Sequence, residues 1–177
     1  MQYVGETKQK PISPLVLSVF SHYTIIHLSL NMYCLHSFAP VTIDRMLGLE
    51  QFLGFYLTAG CVSSLVGNFY KLMASNKAVS LGASGAILGV LAYVCCKLPN
   101  SQLKIVFVPI TFSCQSGLIG ILLFDFAGLI FRFRLFDHAA HLGGTLFGIW
   151  YATYGEKLWY RHKKGIVQSW ADWTKRH

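Results

Sequence analysis

Charged residues are scarce in this sequence of 177 residues: they make up 12% of it, and only seven are Asp or Glu. A soluble globular domain usually carries about twice that share. The mean hydropathy is +0.47, and the long apolar runs show no alternation of apolar and polar residues. Because lipid offers backbone groups no water, such runs are typical of membrane-spanning helices, and the lack of alternation argues against barrel strands.

Signals for metal binding, disulfides and targeting are also missing. The five cysteines form no C-x-x-C pair and lie mostly in apolar runs, so neither a zinc site nor a disulfide framework is expected. Residues 1–14 are polar and resemble neither a signal peptide nor an Arg-rich presequence, so targeting is expected to be internal or to depend on a segment outside this sequence.

The net charge is +8, but the basic residues lie in loops and the C-terminal tail. We therefore expect contacts with anionic lipid and no nucleic-acid partner.

The apolar runs predict an all-α, polytopic membrane helical bundle with about five transmembrane helices. A polar segment, 1–14, precedes a membrane domain, 15–155, and a basic tail, 156–177, follows it. The predicted spans are 15–38, 52–73, 84–98, 117–131 and 138–154. Residues 103–112 are apolar but too short to span, so we expect an interfacial or re-entrant segment there.

The basic tail interleaves cationic residues with tryptophans. Ile166, Val167, Trp170 and Trp173 would share one face of a helix. This pattern predicts an amphipathic helix on an anionic lipid surface, and the alternative is a solvated tail.

The third span is unusually short. Its 15 residues from Ser84 to Leu98 would extend roughly 22 Å as a helix, whereas the hydrocarbon core of a bilayer is about 30 Å thick. The N-terminus of this helix is therefore expected inside the bilayer, beside a cavity that holds water.

Placing an ionisable or polar side chain inside a membrane span costs free energy, which makes each such residue a functional candidate. Ser84 lies in the motif G-A-S-G, Gly82 to Gly85, where a helix N-terminus favours an anion. His141 lies about one turn inside the fifth span. The N-terminus of this span is expected on the same side of the membrane as the N-terminus of the Ser84 helix. His27 and Asn31 share one face of the first span.

These groups suit acyl transfer, with Ser84 as nucleophile and His141 as general base. His27, Asn31 and the Ser84 N–H would stabilise the oxyanion. Because no carboxylate is evidently placed as the third member of a catalytic triad, we expect a Ser–His dyad whose imidazole is oriented by packing. Asp125 is expected to pair locally with Arg132 or Arg134.

Small residues predict close approach of the two catalytic helices. Gly85 lies on the third span, and Gly144 and Gly148 form a small-xxx-small pattern on the fifth. Each motif alone could also have a purely structural role, because small residues are common in membrane helices. His138, His141 and Asp137 could instead form a metal site, but they lack the H-E-x-x-H spacing of zinc proteases, so we expect no metal.

Three segments together resemble the rhomboid family, and its mitochondrial members in particular. They are F-S-H-Y-T-I-I-H-L-S-L-N from Phe20, G-A-S-G from Gly82 and A-H-L-G-G-T-L-F-G from Ala140. The resemblance implies an intramembrane serine endopeptidase that cleaves single-pass membrane proteins in or near their transmembrane segments. It also implies the mitochondrial inner membrane, the absence of a cofactor, and the site residues given above.

The sequence departs from the family pattern in three places. The first core helix of the family is expected to be absent, as in a truncated chain. The position four residues after the serine, which is often aromatic in bacterial members of the family, is Leu88 here. A Glu-x-Arg feature is reduced to Asp44 and Arg45. The alternative hypothesis is thus a catalytically inactive rhomboid-like protein that binds or escorts transmembrane segments.

Overall fold

The computed structural model describes residues 13–74, 83–104, 110–133 and 136–174. Within these ranges the chain is almost entirely helical, as predicted. The elements are α1 (Ser13–Leu17), α2 (Ile25–Thr42), α3 (Leu49–Met73), α4 (Ser84–Lys97), β1 (Gln102–Lys104), β2 (Thr111–Ser113), α5 (Cys114–Ile130), α6 (His138–Trp150) and α7 (Glu156–Thr174). A 3-10 turn, Ser18–Phe20, follows α1, and π-helical turns, Ile43–Leu47 and Tyr151–Gly155, follow α2 and α6.

The first predicted span is interrupted, so its predicted bounds were wrong. After the 3-10 turn the backbone is extended at Thr24, whose Oγ1 accepts a hydrogen bond from the His27 N–H at 3.0 Å. This is an N-cap, which satisfies a donor that the first turn of a helix leaves unpaired. α2 therefore begins at Ile25 rather than near residue 15. The apolar residues on both sides of Thr24 concealed this helix start in the sequence.

Helix α4 forms the centre of the bundle and packs against α2, α3, α5 and α6. Its start at Ser84 agrees with the sequence prediction, and it ends at Lys97. Most of its side chains are buried, including Val90 and Tyr93. Tyr93 joins a cluster of aromatic rings in which Phe55 of α3 and Tyr151 have centroids 4.5 Å apart. A short, largely buried helix thus carries Ser84 at its N-terminus.

Glycines set the spacing between α4 and α6. A Cβ added at Gly144 would overlap the carbonyl oxygen of Gly85 and lie 2.6 Å from its carbonyl carbon. One added at Gly148 would likewise overlap the carbonyl of Gly89. The two backbones therefore touch, which is possible only where neither helix carries a side chain at the contact. Gly82 lies outside the described residues.

The apolar segment 103–112 begins and ends in a hairpin that the sequence did not indicate. Leu103 pairs with Phe112 in the antiparallel ladder of β1 and β2. Residues 105–109 of this segment lie outside the described residues. A Cβ added at Gly117 of α5 would meet the rings and methyls of Phe112 and Leu103. The hairpin therefore packs on the N-terminal end of α5.

The tail forms helix α7, as predicted, and α7 is held at its beginning by polar contacts. Glu156 forms an ion pair with Lys97 at 2.5 Å and accepts a hydrogen bond from the Tyr93 hydroxyl at 3.2 Å. Lys163 pairs with Glu50 at 2.9 Å. Beyond these contacts the apolar face of α7 is exposed.

One helix in the described part of the chain, α3, is both long and apolar enough to cross a membrane. α4 and α5 are apolar but shorter. α3 packs closely against α6, which in turn contacts α4 and α5. The arrangement is a helical bundle built around two short central helices.

Candidate active site

Ser84 is the first residue of α4 and is half-buried. The first N–H groups of a helix have no partner within the helix, and the dipole makes this end partly positive. Gly85 follows, and a Cβ there would overlap the Ser63 hydroxyl of α3. The backbone after Ser84 is consequently pressed against α3, and the serine occupies a fixed place.

His141 lies one turn into α6 and contacts Ser84. Its Nε2 is 2.9 Å from the Ser84 Oγ, and its side chain is 13% exposed. The start of α6 is fixed by Asp137, whose Oδ1 accepts from the Ala140 N–H at 3.3 Å. Serine and imidazole, 57 positions apart in the sequence, are thus brought within hydrogen-bond distance by the glycine contact between their helices.

Asp125 of α5 lies behind the imidazole. Its Oδ1 is 3.3 Å from the His141 Nδ1 and 2.7 Å from the His138 Nδ1. Asp125 and His138 are 1% and 3% exposed. The expectation that packing alone orients His141 was therefore wrong, because a buried carboxylate contacts its Nδ1.

The expected pairing of Asp125 with Arg132 was also wrong. It pairs with His138 and His141 rather than with Arg132, and Arg134 lies outside the described residues. His138 and His141 are one turn apart and share one face of α6, which turns both rings towards α5. That spacing, together with a carboxylate in an apolar span, was the signal in the sequence that could have indicated this contact.

His27 and Asn31 lie on α2, which packs against α4. Asn31 is 7% exposed, and its Nδ2 is buried without a hydrogen-bond partner among the described residues. The His27 ring stands edge-on to His22, with centroids 5.3 Å apart. No hydrogen bond between described residues joins either side chain to Ser84 or His141. The structure therefore leaves a buried donor on α2 that a bound group could use.

Two contacts that the sequence did not indicate secure the start of α6. The Ser63 hydroxyl donates to the Ala140 carbonyl at 2.8 Å, across a buried contact with α3. Lys71, near the end of α3, forms a 2.5 Å ion pair with Asp137, and both side chains are largely buried. A serine and a lysine in an apolar run gave no periodic signal, and only the packing of α3 on α6 assigns them this role.

The described residues contain no group of three or more His, Cys, Asp or Glu side chains that could hold a metal ion. His138 and His141 direct Nδ1 towards one oxygen of Asp125. Asp137, the third residue of the metal alternative, instead caps α6 and pairs with Lys71. This arrangement suits proton transfer from the serine hydroxyl to the imidazole, with the carboxylate placed to stabilise the imidazolium that forms.

The chain is similar to proteins of one known family. Residues 9–157 match the family model described as "Rhomboid domain". The chain is 47% identical over 159 residues to the mitochondrial presenilin-associated rhomboid-like proteins of Rattus norvegicus and Homo sapiens, which covers 89% of this chain and 42% of theirs. It is 32% identical over 158 residues to mitochondrial rhomboid protein 1 of Saccharomyces cerevisiae, which covers 88% of this chain and 45% of that protein.

The chain spans less than half the length of each of these relatives. The matched region nevertheless includes α2 to α6 and all the residues at the Ser84–His141 contact. The chain belongs to the rhomboid family of membrane-embedded helical bundles.

Proposed function

We propose that this chain is an intramembrane serine endopeptidase that cleaves single-pass membrane proteins in or near their transmembrane segments. The observation that carries the proposal is the 2.9 Å contact between Ser84 Oγ and His141 Nε2 at the N-terminus of α4. A serine hydroxyl is a weak nucleophile unless an adjacent base removes its proton. His141 is within reach to do so, and Asp125 stands behind it.

The reaction would begin with attack of Ser84 Oγ on the scissile carbonyl carbon while His141 Nε2 takes the hydroxyl proton. The imidazolium that forms is stabilised by Asp125 through Nδ1–H. The same proton then passes to the leaving amine, and an acyl-enzyme remains. Water, deprotonated by His141, then attacks the acyl carbon, the ester bond to Ser84 Oγ breaks, and the new carboxyl terminus leaves while His141 returns the proton to Oγ.

The tetrahedral intermediates carry a negative oxygen that needs preorganised donors. The Ser84 N–H at the start of α4 and the Nδ2 of Asn31 are the donors that support this assignment. The Asn31 amide is buried and has no partner among the described residues, a state that costs about 1–3 kcal/mol unless a ligand compensates. His27, one turn earlier on α2, would be the further donor.

The setting proposed for this reaction is the mitochondrial inner membrane, since the relatives described above carry mitochondrial names. Transmembrane segments would be the substrates, and α7 would rest on an anionic lipid surface. The exposed residues Ile166 and Trp170 lie on one face of α7, while Arg161 and Lys164 lie on the other. Apolar and cationic faces of this kind bind anionic bilayers.

The test is cleavage of a model transmembrane substrate by the purified chain in proteoliposomes. Ser84→Ala and His141→Ala should each lower the rate by at least about 10³-fold, and the double variant should lose little more, since the two act as a unit. Ser37→Ala, an exposed serine bonded to the Tyr33 carbonyl on α2, is the matched control. Equal cleavage by Ser84→Ala and the parent chain would refute the proposal.

The alternative of an inactive binder makes a different prediction in the same assay. A protein that only escorts transmembrane segments would retain the substrate without cleaving it, and Ser84→Ala would bind as well as the parent. The Ser84–His141 hydrogen bond favours the enzyme, because binding a helix requires no activated hydroxyl.

A further inference from the structure

His138, the first residue of α6, is held in a fixed position against α5. It is 3% exposed, and a Cβ added at Gly128 would overlap its ring. The rings of Phe124, Phe133 and Phe136 stand edge-on to it, with centroids 5.3–6.0 Å away. The absence of a side chain at Gly128 thus makes room for this imidazole.

His138 shares one carboxylate oxygen with His141. Its Nδ1 lies 2.7 Å from Asp125 Oδ1, whereas the His141 Nδ1 lies 3.3 Å from the same atom. The shorter and more buried hydrogen bond therefore belongs to the residue that does not contact Ser84. Asp125 is 1% exposed, so its orientation depends on these two donors.

The surroundings of His138 determine its tautomer. A carboxylate accepts, so the proton must be on Nδ1. The Nε2 is buried without a partner among the described residues, and an imidazolium would leave a charged N–H unpaired between aromatic rings. His138 consequently donates through Nδ1, as His141 does. The two differ at Nε2, which faces the serine in His141 and meets no partner among the described residues in His138.

This arrangement supports the carboxylate. Burying an ionised carboxylate is costly unless donors compensate for the lost water. Without the His138 donor, Asp125 would be free to turn away from His141 or to take up a proton. In either case it could no longer hold the Nδ1–H of His141 or stabilise the imidazolium.

We propose that His138 is a positioning residue: it keeps Asp125 ionised and directed at His141, and so sets the tautomer of the base. The inference rests on the proposed function, since it concerns the activation of Ser84. It assigns a task to an imidazole that the reaction described above does not use directly.

The experiment compares His138→Leu and His138→Asn with the parent chain in proteoliposomes. Leucine removes the donor, while the asparagine amide nitrogen restores one close to the position of Nδ1. His138→Leu should lower kcat about 10- to 100-fold with KM within twofold of the parent. His138→Asn should recover kcat to within about fivefold of the parent, which a purely structural role would not predict.

Coupling to Asp125 is the second measurement. In an Asp125→Asn background, His138→Leu should change kcat less than twofold, because the residue through which it acts is already lost. If the effects of the two substitutions on kcat multiplied in the double variant, the two residues would act independently and the inference would be overturned. A His138→Leu variant with the kcat of the parent, or folded Leu and Asn variants that are equally impaired, would also overturn it.

Glycine variants cover the case in which His138→Leu does not fold. Gly128→Ala displaces the His138 ring and should lower kcat at least tenfold. Gly120→Ala on the same helix, where a Cβ meets nothing within 4 Å, should leave it unchanged. Equal activity of the two glycine variants would also refute the inference. A parent chain that never cleaves would instead refute the proposed function.

Discussion

Substituting Gly144 with alanine tests whether the contact between α4 and α6 creates the site. The new Cβ would lie 2.6 Å from the carbonyl carbon of Gly85 and closer still to its oxygen, whereas ordinary contacts begin at 3.4 Å. Neither atom belongs to a flexible side chain that could turn aside. The two helices must therefore separate by about 1 Å, since repulsion rises steeply inside the contact distance.

That displacement acts directly on the reacting pair. Gly85 follows Ser84, and Gly144 lies one turn after His141, so the 2.9 Å distance between Oγ and Nε2 would grow beyond hydrogen-bond range. A misplacement of about 1 Å costs on the order of 10²-fold in rate. The overpacking should also lower the free energy of unfolding by about 1–3 kcal/mol.

The assay is cleavage of the model transmembrane substrate by Gly144→Ala in proteoliposomes, with the midpoint of thermal unfolding measured in parallel. Gly120→Ala, where the added methyl meets nothing within 4 Å, controls for the intrinsic effect of alanine in a helix. If Gly144→Ala cleaves within twofold of the parent chain, the close contact does not position the site and the reasoning is wrong.

Three further outcomes are expected. Asp125→Asn should lower kcat at least about 10²-fold, because an amide does not stabilise the His141 imidazolium; an unchanged kcat would contradict its role. Ser63→Ala should lower the free energy of unfolding by about 1–3 kcal/mol, because the buried Ala140 carbonyl loses its 2.8 Å donor, and an unaltered unfolding midpoint would contradict this. Trypsin should cut α7 more slowly in vesicles containing phosphatidylglycerol than in phosphatidylcholine alone; replacing Trp170 and Trp173 with serine should abolish that protection, and equal cutting in both lipids would argue against lipid contact.

Much of the fold could be predicted because apolar length and glycine spacing are local properties. The short helix beginning at Ser84 followed from the distance to Pro99, and the amphipathic pattern of the tail predicted α7. The juxtaposition of Ser84 and His141 followed from the expectation that their two helices enter the membrane from the same side. Whether these residues are catalytic remains a prediction that activity measurements must test.

The parts that could not be predicted depend on contacts between distant segments. Thr24 interrupts an apolar run, and its capping hydrogen bond to the His27 N–H leaves no trace in hydropathy. Asp125 could have paired with neighbouring arginines, and only the packing of α5 on α6 directs it to His138 and His141. A single sequence gives the depth of each polar group but not its rotation about the helix axis.

Labelling with a fluorophosphonate tests the central claim most directly, since the reagent bonds to an activated serine without needing a substrate helix. The parent chain in proteoliposomes should carry one adduct, at Ser84, identified by mass spectrometry of the peptides. His141→Ala should slow the labelling at least about 10²-fold, because no base remains to take the hydroxyl proton. Absence of an adduct at Ser84 in the folded parent, or equal labelling in His141→Ala, would contradict the account.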